Sequence, residues 1–427
     1  GGYDVQIEFI IFIVMVLTFM AGCFAFKLPV SIAMVLASIA GTLIDGSGIP
    51  IRHLVEGTFG YIDTILVIAT AMIFMGVIQE SGALDALSHL IIKKFHKRPA
   101  ILLIFLMLVV MFPGMITGSS TASVISAGSL MAPVFMMMGI PRVDTAAIIA
   151  MGGILGMIAP PVNVPAMIIG GGVDIPYVGF EKPLLMLTIP VAIFTVLYFG
   201  LRHTKDFDYK KLAAEFFTSK DEYSLKLFIP LIVVFILMIA TKAFPNVIPD
   251  LGMPLIFTIG SIVGLFTGKK VNILKTGKKA VKDALPVLGI LMGVGMFIQV
   301  MTLTGVRGFI VVNCLSLPSA LLYVGIALAI PAFGAVSSFG SASVLGVPFL
   351  LALLGKNEII TVSALSFISG LGDLVPPTAL AGIFAAQVVD EENYVPILKK
   401  CLVPALVILV YGLIFIIFAK QFSFLVN

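Results

Sequence analysis

Two pairs of adjacent prolines, Pro160-Pro161 and Pro376-Pro377, each interrupt a long apolar stretch, 144–172 and 360–389 respectively. Adjacent prolines remove two backbone donors and drive two rings against earlier carbonyls, so no continuous helix passes through either pair. If these stretches lie at membrane depth, every unpaired backbone group there costs several kcal/mol. Such breaks survive in hydrocarbon only where protein or a watery cavity encloses them. They are therefore expected to be used.

Composition supplies the depth. Of 427 residues, 60% are hydrophobic and 11% charged, where soluble domains run near 45–50% and about 25%. With a mean hydropathy of +1.17, the chain reads as an all-α polytopic membrane protein whose main solvent is lipid. A net charge of +4, with no basic face among stacking aromatics, excludes nucleic acid as a partner. Cys23, Cys314 and Cys401 form no metal-spaced pair and read as helix-packing residues. No cationic segment precedes the first apolar run, so 10–26 reads as a retained helix and not a cleaved signal.

A bilayer core of about 30 Å is crossed by roughly 17–25 helical residues. On that ruler, simple spans fall at 6–25, 29–45, 61–80, 183–201, 227–244, 253–268, 284–303 and 397–419. Two more apolar stretches are too long and broken for one crossing. The first, 100–138, holds Phe112-Pro113-Gly114 and then Thr117-Gly118-Ser119-Ser120-Thr121. The second, 319–354, holds Pro331-Ala332-Phe333-Gly334 and then Ser337-Ser338-Phe339-Gly340-Ser341. Both read as re-entrant hairpins. Ala122-Ser123-Val124 matches Ala342-Ser343-Val344 at an offset of 220, as Gly114 matches Gly334, and the proline pairs lie 216 apart. Each half is thus a hydroxyl-rich break followed by a double-proline break, an internal duplication of the kind that builds secondary transporters.

Eight simple spans and two broken helices make ten crossings if each hairpin returns to the side it entered from. Placing Lys93, Lys94, Lys97 and Arg98 in the cytoplasm leaves only Arg52, Lys182, Lys242, Arg307, Lys356 and Lys420 of the 26 Lys and Arg outside. The positive-inside rule asks for such a split. The halves are then inverted repeats, with both termini outside. Scaffold helices are expected in 1–90 and the first hairpin and broken helix in 91–182. The range 183–283 holds further scaffold helices and a polar cytoplasmic connector at 202–226, read as an interfacial amphipathic helix or a solvated linker. The second hairpin and broken helix occupy 284–395, and a last transmembrane helix 396–427.

The side chains at the breaks carry hydroxyls and one amide. Ser119, Ser120 and Thr121 with Asn163 form one candidate cluster, and Ser338, Ser341 and Thr378 the other. Carbonyls freed at helix C-ends suit a bare cation such as Na⁺, and helix N-termini suit an anion. Small residues also permit close helix packing in membranes. The recurrence of a hydroxyl tip with a Pro-Pro break in both halves favours a binding site over packing alone. Asp373, directly before the second proline pair, is a candidate cation ligand, proton carrier or helix cap. Asp63 and Glu80 fall near span ends and read as structural. No nucleophile–base pair and no His/Asp/Glu metal cluster is visible, which argues against an enzyme.

The run Gly118-Ser119-Ser120-Thr121-Ala122-Ser123, with Met131-Ala132-Pro133, Gly139-Ile140-Pro141-Arg142 and Gly152-Gly153-Ile154-Leu155-Gly156-Met157-Ile158-Ala159-Pro160-Pro161, resembles the large membrane subunit of tripartite ATP-independent periplasmic (TRAP) transporters. The segment Lys27-Leu28-Pro29-Val30-Ser31-Ile32-Ala33 is similar to that family's opening helices. The second half departs from the family pattern, with Gly372-Asp373-Leu374-Val375 where a Thr usually precedes the prolines.

The resemblance implies an elevator-type transporter of the bacterial inner membrane, where the charge split would put both termini in the periplasm. Its partners would be a small four-helix membrane subunit and a periplasmic substrate-binding protein. Its cargo would be a small organic anion with Na⁺ as the coupling ion. One Na⁺ site would use Gly118, Ser119, Ser120 and Asn163 with carbonyls around Pro160. The other would use Ser338, Gly340, Ser341 and Thr378 with carbonyls around Val375, and Asp373 nearby. Substrate would lie near Thr121, Ser123, Asn163, Ser341 and Thr378, between the breaks at Pro160-Pro161 and Pro376-Pro377. No Arg is expected near either tip, so the anion would rest on hydroxyls and helix N-termini. A stand-alone dicarboxylate- or citrate-type symporter without a binding protein is the nearest competing expectation, and a membrane scaffold or enzyme the one of another class.

Overall fold

The computed structural model describes residues 7–206, 210, 212, 224–314, 317–353 and 355–426. Its regular elements are helices. Eight of them, Ile7–Phe24, Ile51–Ser81, Pro99–Thr117, Ser120–Met137, Glu181–Thr204, Leu225–Ala243, Ile273–Leu303 and Val395–Ile417, are long and apolar enough to cross a membrane. Four shorter apolar helices, Val30–Asp45, Gly252–Thr267, Ser319–Gly334 and Ser338–Ala352, accompany them. Most of the expected connector, 207–209, 211 and 213–223, lies outside the described residues.

The hairpins break where glycine and serine break them, not at the earlier prolines. Pro113 and Pro331 both sit inside helical arms, Pro99–Thr117 and Ser319–Gly334. The first arm ends at Gly118, whose φ of +65° is open to glycine and strained for other residues. The broken helices split as expected. Arg142–Met157 is followed by Val164–Gly171, and Glu358–Ser369 runs through a tight turn, Gly370–Leu374, before Leu380–Val388.

Two groups of helices pack mainly among themselves. Ile7–Phe24, Val30–Asp45, Ile51–Ser81, Ile229–Ala243, Gly252–Thr267 and Ile273–Leu303 form one. Both hairpins, both broken helices, Glu181–Gly200 and Val395–Ile417 form the other. The sequence reading puts 183–201 with the scaffold. In the structure Glu181–Gly200 instead packs on Pro99–Thr117, Arg142–Met157 and Glu358–Ser369 through its buried residues Leu184, Leu187, Thr188 and Val191. Asp144, 4% exposed, fastens one end of this group by ion pairs to Arg202 at 3.1 Å and Lys400 at 2.8 Å, with His203 Nε2 at 3.5 Å. The groups touch where Tyr61 donates to the Ile168 carbonyl at 2.7 Å and where Phe19 stacks on Phe333 at 5.5 Å.

The span expected at 284–303 is a single helix of 31 residues, Ile273–Leu303. Asn272 caps it, its side-chain oxygen accepting from Lys275 N at 3.1 Å. The three added turns move Thr276, Lys279, Lys282 and Asp283 out of the expected loop and onto a helix.

Candidate functional site

Each hairpin reverses at a serine cap. In the first, extended Ser119 accepts from Ala122 N at 3.2 Å and a helix starts at Ser120. In the second, extended Ser337 accepts from Gly340 N at 3.2 Å and a helix starts at Ser338. A wide helical turn follows in both, Val124–Gly128 and Ala342–Gly346. These elements correspond at an offset of 218, two fewer than the tripeptide match in the sequence. Ser120 is thus the counterpart of Ser338, Ser123 of Ser341, and Thr121 of Phe339. From glycine to cap the second half is two residues shorter, Gly334 to Ser337 against Gly114 to Ser119, which is why the glycines pair at 220 and the caps at 218.

Those glycines bring hairpin and broken helix together in each half. A Cβ on Gly156 would stand 2.4 Å from Met111 O, and one on Gly114 would stand 2.9 Å from Met157 N. In the other half a Cβ on Gly334 would stand 2.5 Å from Gly372 Cα. Only backbone meeting backbone allows this approach, and it lays each hairpin tip beside a break.

The two tips converge on one carboxylate. Ser120 Oγ donates to Asp373 Oδ2 and Ser338 Oγ donates to Asp373 Oδ1. Asp373 is 5% exposed and has no Lys, Arg or His partner among the described residues. It lines a cavity of about 740 Å³. Ser119, Ser120, Thr121, Ser338, Asp373 and Thr378 line that cavity, so six of the expected site residues share one space. Thr378 also donates to the Ala335 carbonyl at 2.7 Å, holding the second tip against the break.

The other expected residues lie behind this wall. Ser123 accepts from Gly114 N at 2.6 Å and donates to Met111 O at 3.3 Å, and Ser341 donates to Ile330 O at 2.7 Å. Both hydroxyls staple a hairpin's own arms, and neither lines the cavity. Asn163 is fully buried and caps Val164–Gly171 by accepting from Ala166 N at 2.9 Å. Its amide donates to Ile158 O at 2.7 Å and Ser366 Oγ at 3.0 Å, which ties the two broken helices. Gly118, Pro160, Pro161, Gly340, Val375, Pro376 and Pro377 form backbone at or beside the breaks.

The opposite wall escaped the sequence reading. Ile62–Ser81 contributes Met72, Met75, Gln79 and Glu80, and Ile273–Leu303 contributes Thr276, Lys279, Lys282 and Asp283. Thr276 donates to Glu80 at 2.7 Å, joining these two helices. Asn272, a capping residue ahead of the lysine-rich segment, is the signal that could have found them. Ser337, the second tip's cap, also lines the cavity, and its match to Ser119 appears only at the offset of 218.

Comparison with known proteins agrees with this architecture. Residues 9–422 match the family described as tripartite ATP-independent periplasmic transporter, DctM component. The chain is similar to the isethionate TRAP transporter permease protein DctMQ of Oleidesulfovibrio alaskensis, 30% identical over 137 residues. That match covers 32% of this chain and 21% of the relative's own length. Among solved structures, the YdaH transporter of Alcanivorax borkumensis has a similar fold, with a TM-score of 0.59 at 16% identity over 88% of this chain and 89% of that one. A helical membrane chain matched over nearly its whole length in this way belongs to the DctM component family of TRAP transporters, which are transport proteins and not enzymes.

Proposed function

We propose that this chain is the permease subunit of a Na⁺-coupled importer of small organic anions, working by an elevator mechanism in a bacterial inner membrane. The observation that carries the reading is Asp373, one buried carboxylate held by a hydroxyl from each hairpin tip at the end of a cavity. Helix N-termini at Ser120 and Ser338 offset part of its charge. A lone carboxylate at membrane depth still favours a cation beside it. The donors at hand are carboxylate, hydroxyl and carbonyl oxygens, the set that a hard cation prefers over nitrogen or sulfur.

On this reading Na⁺ is cargo. Gly118, Ser119, Ser120 and the second lone pair of Asn163 Oδ1, with carbonyls near Pro160, would serve one ion. Ser338, Gly340 and Thr378, with carbonyls near Val375, would serve the other, and Asp373 stands between them. Substrate would occupy the cavity against Thr121 and Thr378. Ser123 and Ser341 would act by holding the tips in shape. The hairpins, broken helices, Glu181–Gly200 and Val395–Ile417 would move as one body against the remaining helices, carrying the two inverted repeats' breaks across ten crossings. With the lysine-rich loops in the cytoplasm, the cavity mouth faces inward and both termini face the periplasm.

The family's tripartite description supports a small membrane subunit and a periplasmic binding protein as partners. A relative named for isethionate, a small sulfonate, supports an organic-anion substrate class. The test is uptake of a carboxylate panel (succinate, malate, citrate and lactate) into liposomes holding the chain and its small subunit, with binding protein added outside. Uptake requiring both a Na⁺ gradient and the binding protein is expected. Na⁺-driven uptake without the binding protein would make the chain a stand-alone symporter, and uptake needing neither would end the reading.

A further inference from the structure

We infer that Lys279 and Lys282 form an anion-receiving site on the scaffold wall of the cavity, taking the organic anion as it leaves the hairpin tips. The inference rests on the transport reading for its direction and on the cavity itself for its chemistry. Both residues line the cavity that ends on Ser120, Ser338 and Asp373, and among the described residues they are the only cationic side chains that do so. They stand three apart on one helix, so both present to the same face. Neither makes an ion pair or hydrogen bond among the described residues.

The two carboxylates on the same wall, Glu80 and Asp283, form no ion pair with them. Glu80 accepts from Thr276 at 2.7 Å. Asp283 lies four residues beyond Lys279 on the same helix, a spacing that permits a pair, yet no bridge forms. Two unpaired like charges side by side on a helix are unfavourable by a few tenths of a kcal/mol. Placed on a cavity wall, they provide what the tips lack. The tip side offers hydroxyls, helix N-termini and the negative charge of Asp373, which repels a carboxylate once its compensating cation has gone. Cations across the cavity then give the departing anion somewhere to go. Lysine suits this role because its ammonium is a compact charge on a flexible stem and holds an anion loosely. Because both lysines sit on the opposite group of helices from the tips, they would meet the substrate only when the cavity faces this wall. They would act on the inward side of the cycle alone.

The transport arm uses the liposomes above with the best-transported panel member as probe. Lys279→Gln/Lys282→Gln should raise the half-saturating probe concentration on the cytoplasmic side about fivefold, the loss of one exposed charge-assisted contact at about 1 kcal/mol. Half-saturation from the periplasmic side and for Na⁺ should stay at the wild-type values. Equal half-saturation on the cytoplasmic side in variant and wild type would overturn the inference. The second arm needs no transport. Acetylation of the purified chain by sulfo-N-hydroxysuccinimide acetate is read by peptide mass spectrometry, with and without citrate. Citrate should slow modification of Lys279 and Lys282 several-fold and leave Lys269 and Lys270 unchanged. No selective protection would also overturn the inference. Protection without transport of any panel member would instead remove the transport reading and leave the anion site in place.

Discussion

Replacing Asp373 by Asn removes the charge at the meeting point of the two tips and keeps the shape. Two effects oppose each other. The carboxylate accepts two hydroxyl donors, each worth roughly 1.5–3 kcal/mol to a charged acceptor against about 0.5–1.5 to a neutral one. The exchange therefore loses about 2–3 kcal/mol. Two helix N-termini add about 0.3–1 kcal/mol each in favour of the anion. Against this stands the desolvation of a carboxylate that is 5% exposed with no cationic partner among the described residues, an effective several kcal/mol that the amide avoids. The sums nearly cancel. Asp373→Asn is therefore expected to unfold within about 1 kcal/mol of wild type in Na⁺-free buffer.

The difference should appear when Na⁺ is added. A cation that binds only the folded chain stabilises it by about 2.7 kcal/mol at a hundredfold excess over its Kd. For wild type, Tm in detergent should climb by a few degrees through a Na⁺ titration at constant ionic strength, set with choline. The variant should stay flat. A variant that keeps the full Na⁺-dependent shift would remove Asp373 from the cation site. A variant that loses more than about 3 kcal/mol without Na⁺ would show the carboxylate to be a structural clamp first.

Three other outcomes follow from contacts on the same body. Ser123→Ala should lower stability by about 1–3 kcal/mol, because it leaves the buried Gly114 N–H without its acceptor; Ser341→Ala removes only a donor to Ile330 O and should cost less than about 1 kcal/mol. Thermal unfolding ranks the two, and unchanged stability with a raised KM in both would return them to the substrate. Gly156→Ala drives a methyl to within 2.4 Å of Met111 O, a backbone atom that cannot yield, and should cost about 1–3 kcal/mol while abolishing uptake; full uptake by this variant would refute the close hairpin contact. Asp144→Ala leaves Arg202 and Lys400 without their shared carboxylate, and because both are partly exposed the loss should be about 1–2 kcal/mol, below the 3–5 of a fully buried pair. An unchanged Tm would show the ion pairs to be incidental.

What the sequence showed and what it hid divide along a physical line. Breaks are written in residue types whose backbone chemistry is local. Pro160-Pro161, Pro376-Pro377, Gly118 and the serine tips could be read from one window each, and the structure splits the helices beside them. Packing partners are not local. Nothing in the composition of 183–201 says which helices its apolar residues will meet, and that span, expected with the scaffold, joins the hairpins. Pro113 and Pro331 looked like breaks and are carried inside helices, since a single proline costs one bond and enclosing helices tolerate it.

Hydropathy failed most instructively at the lysine-rich segment before residue 284. A window tuned to lipid ends a helix where charge begins, yet Asn272 caps this one at Ile273 and Thr276, Ala280 and Ala284 bury one side of the added turns. Charge there lines the cavity, where Lys279, Lys282 and Asp283 stand. The same confusion hid the balance of the site. From sequence alone the tips offer an anion hydroxyls and helix N-termini but no cationic side chain, because the lysines across from them fall in an expected loop. A cavity wall drawn from two helices 196 residues apart at their Glu80–Thr276 hydrogen bond is a property of the fold, and it turns a run of lysines from an orientation signal into part of the cavity's lining.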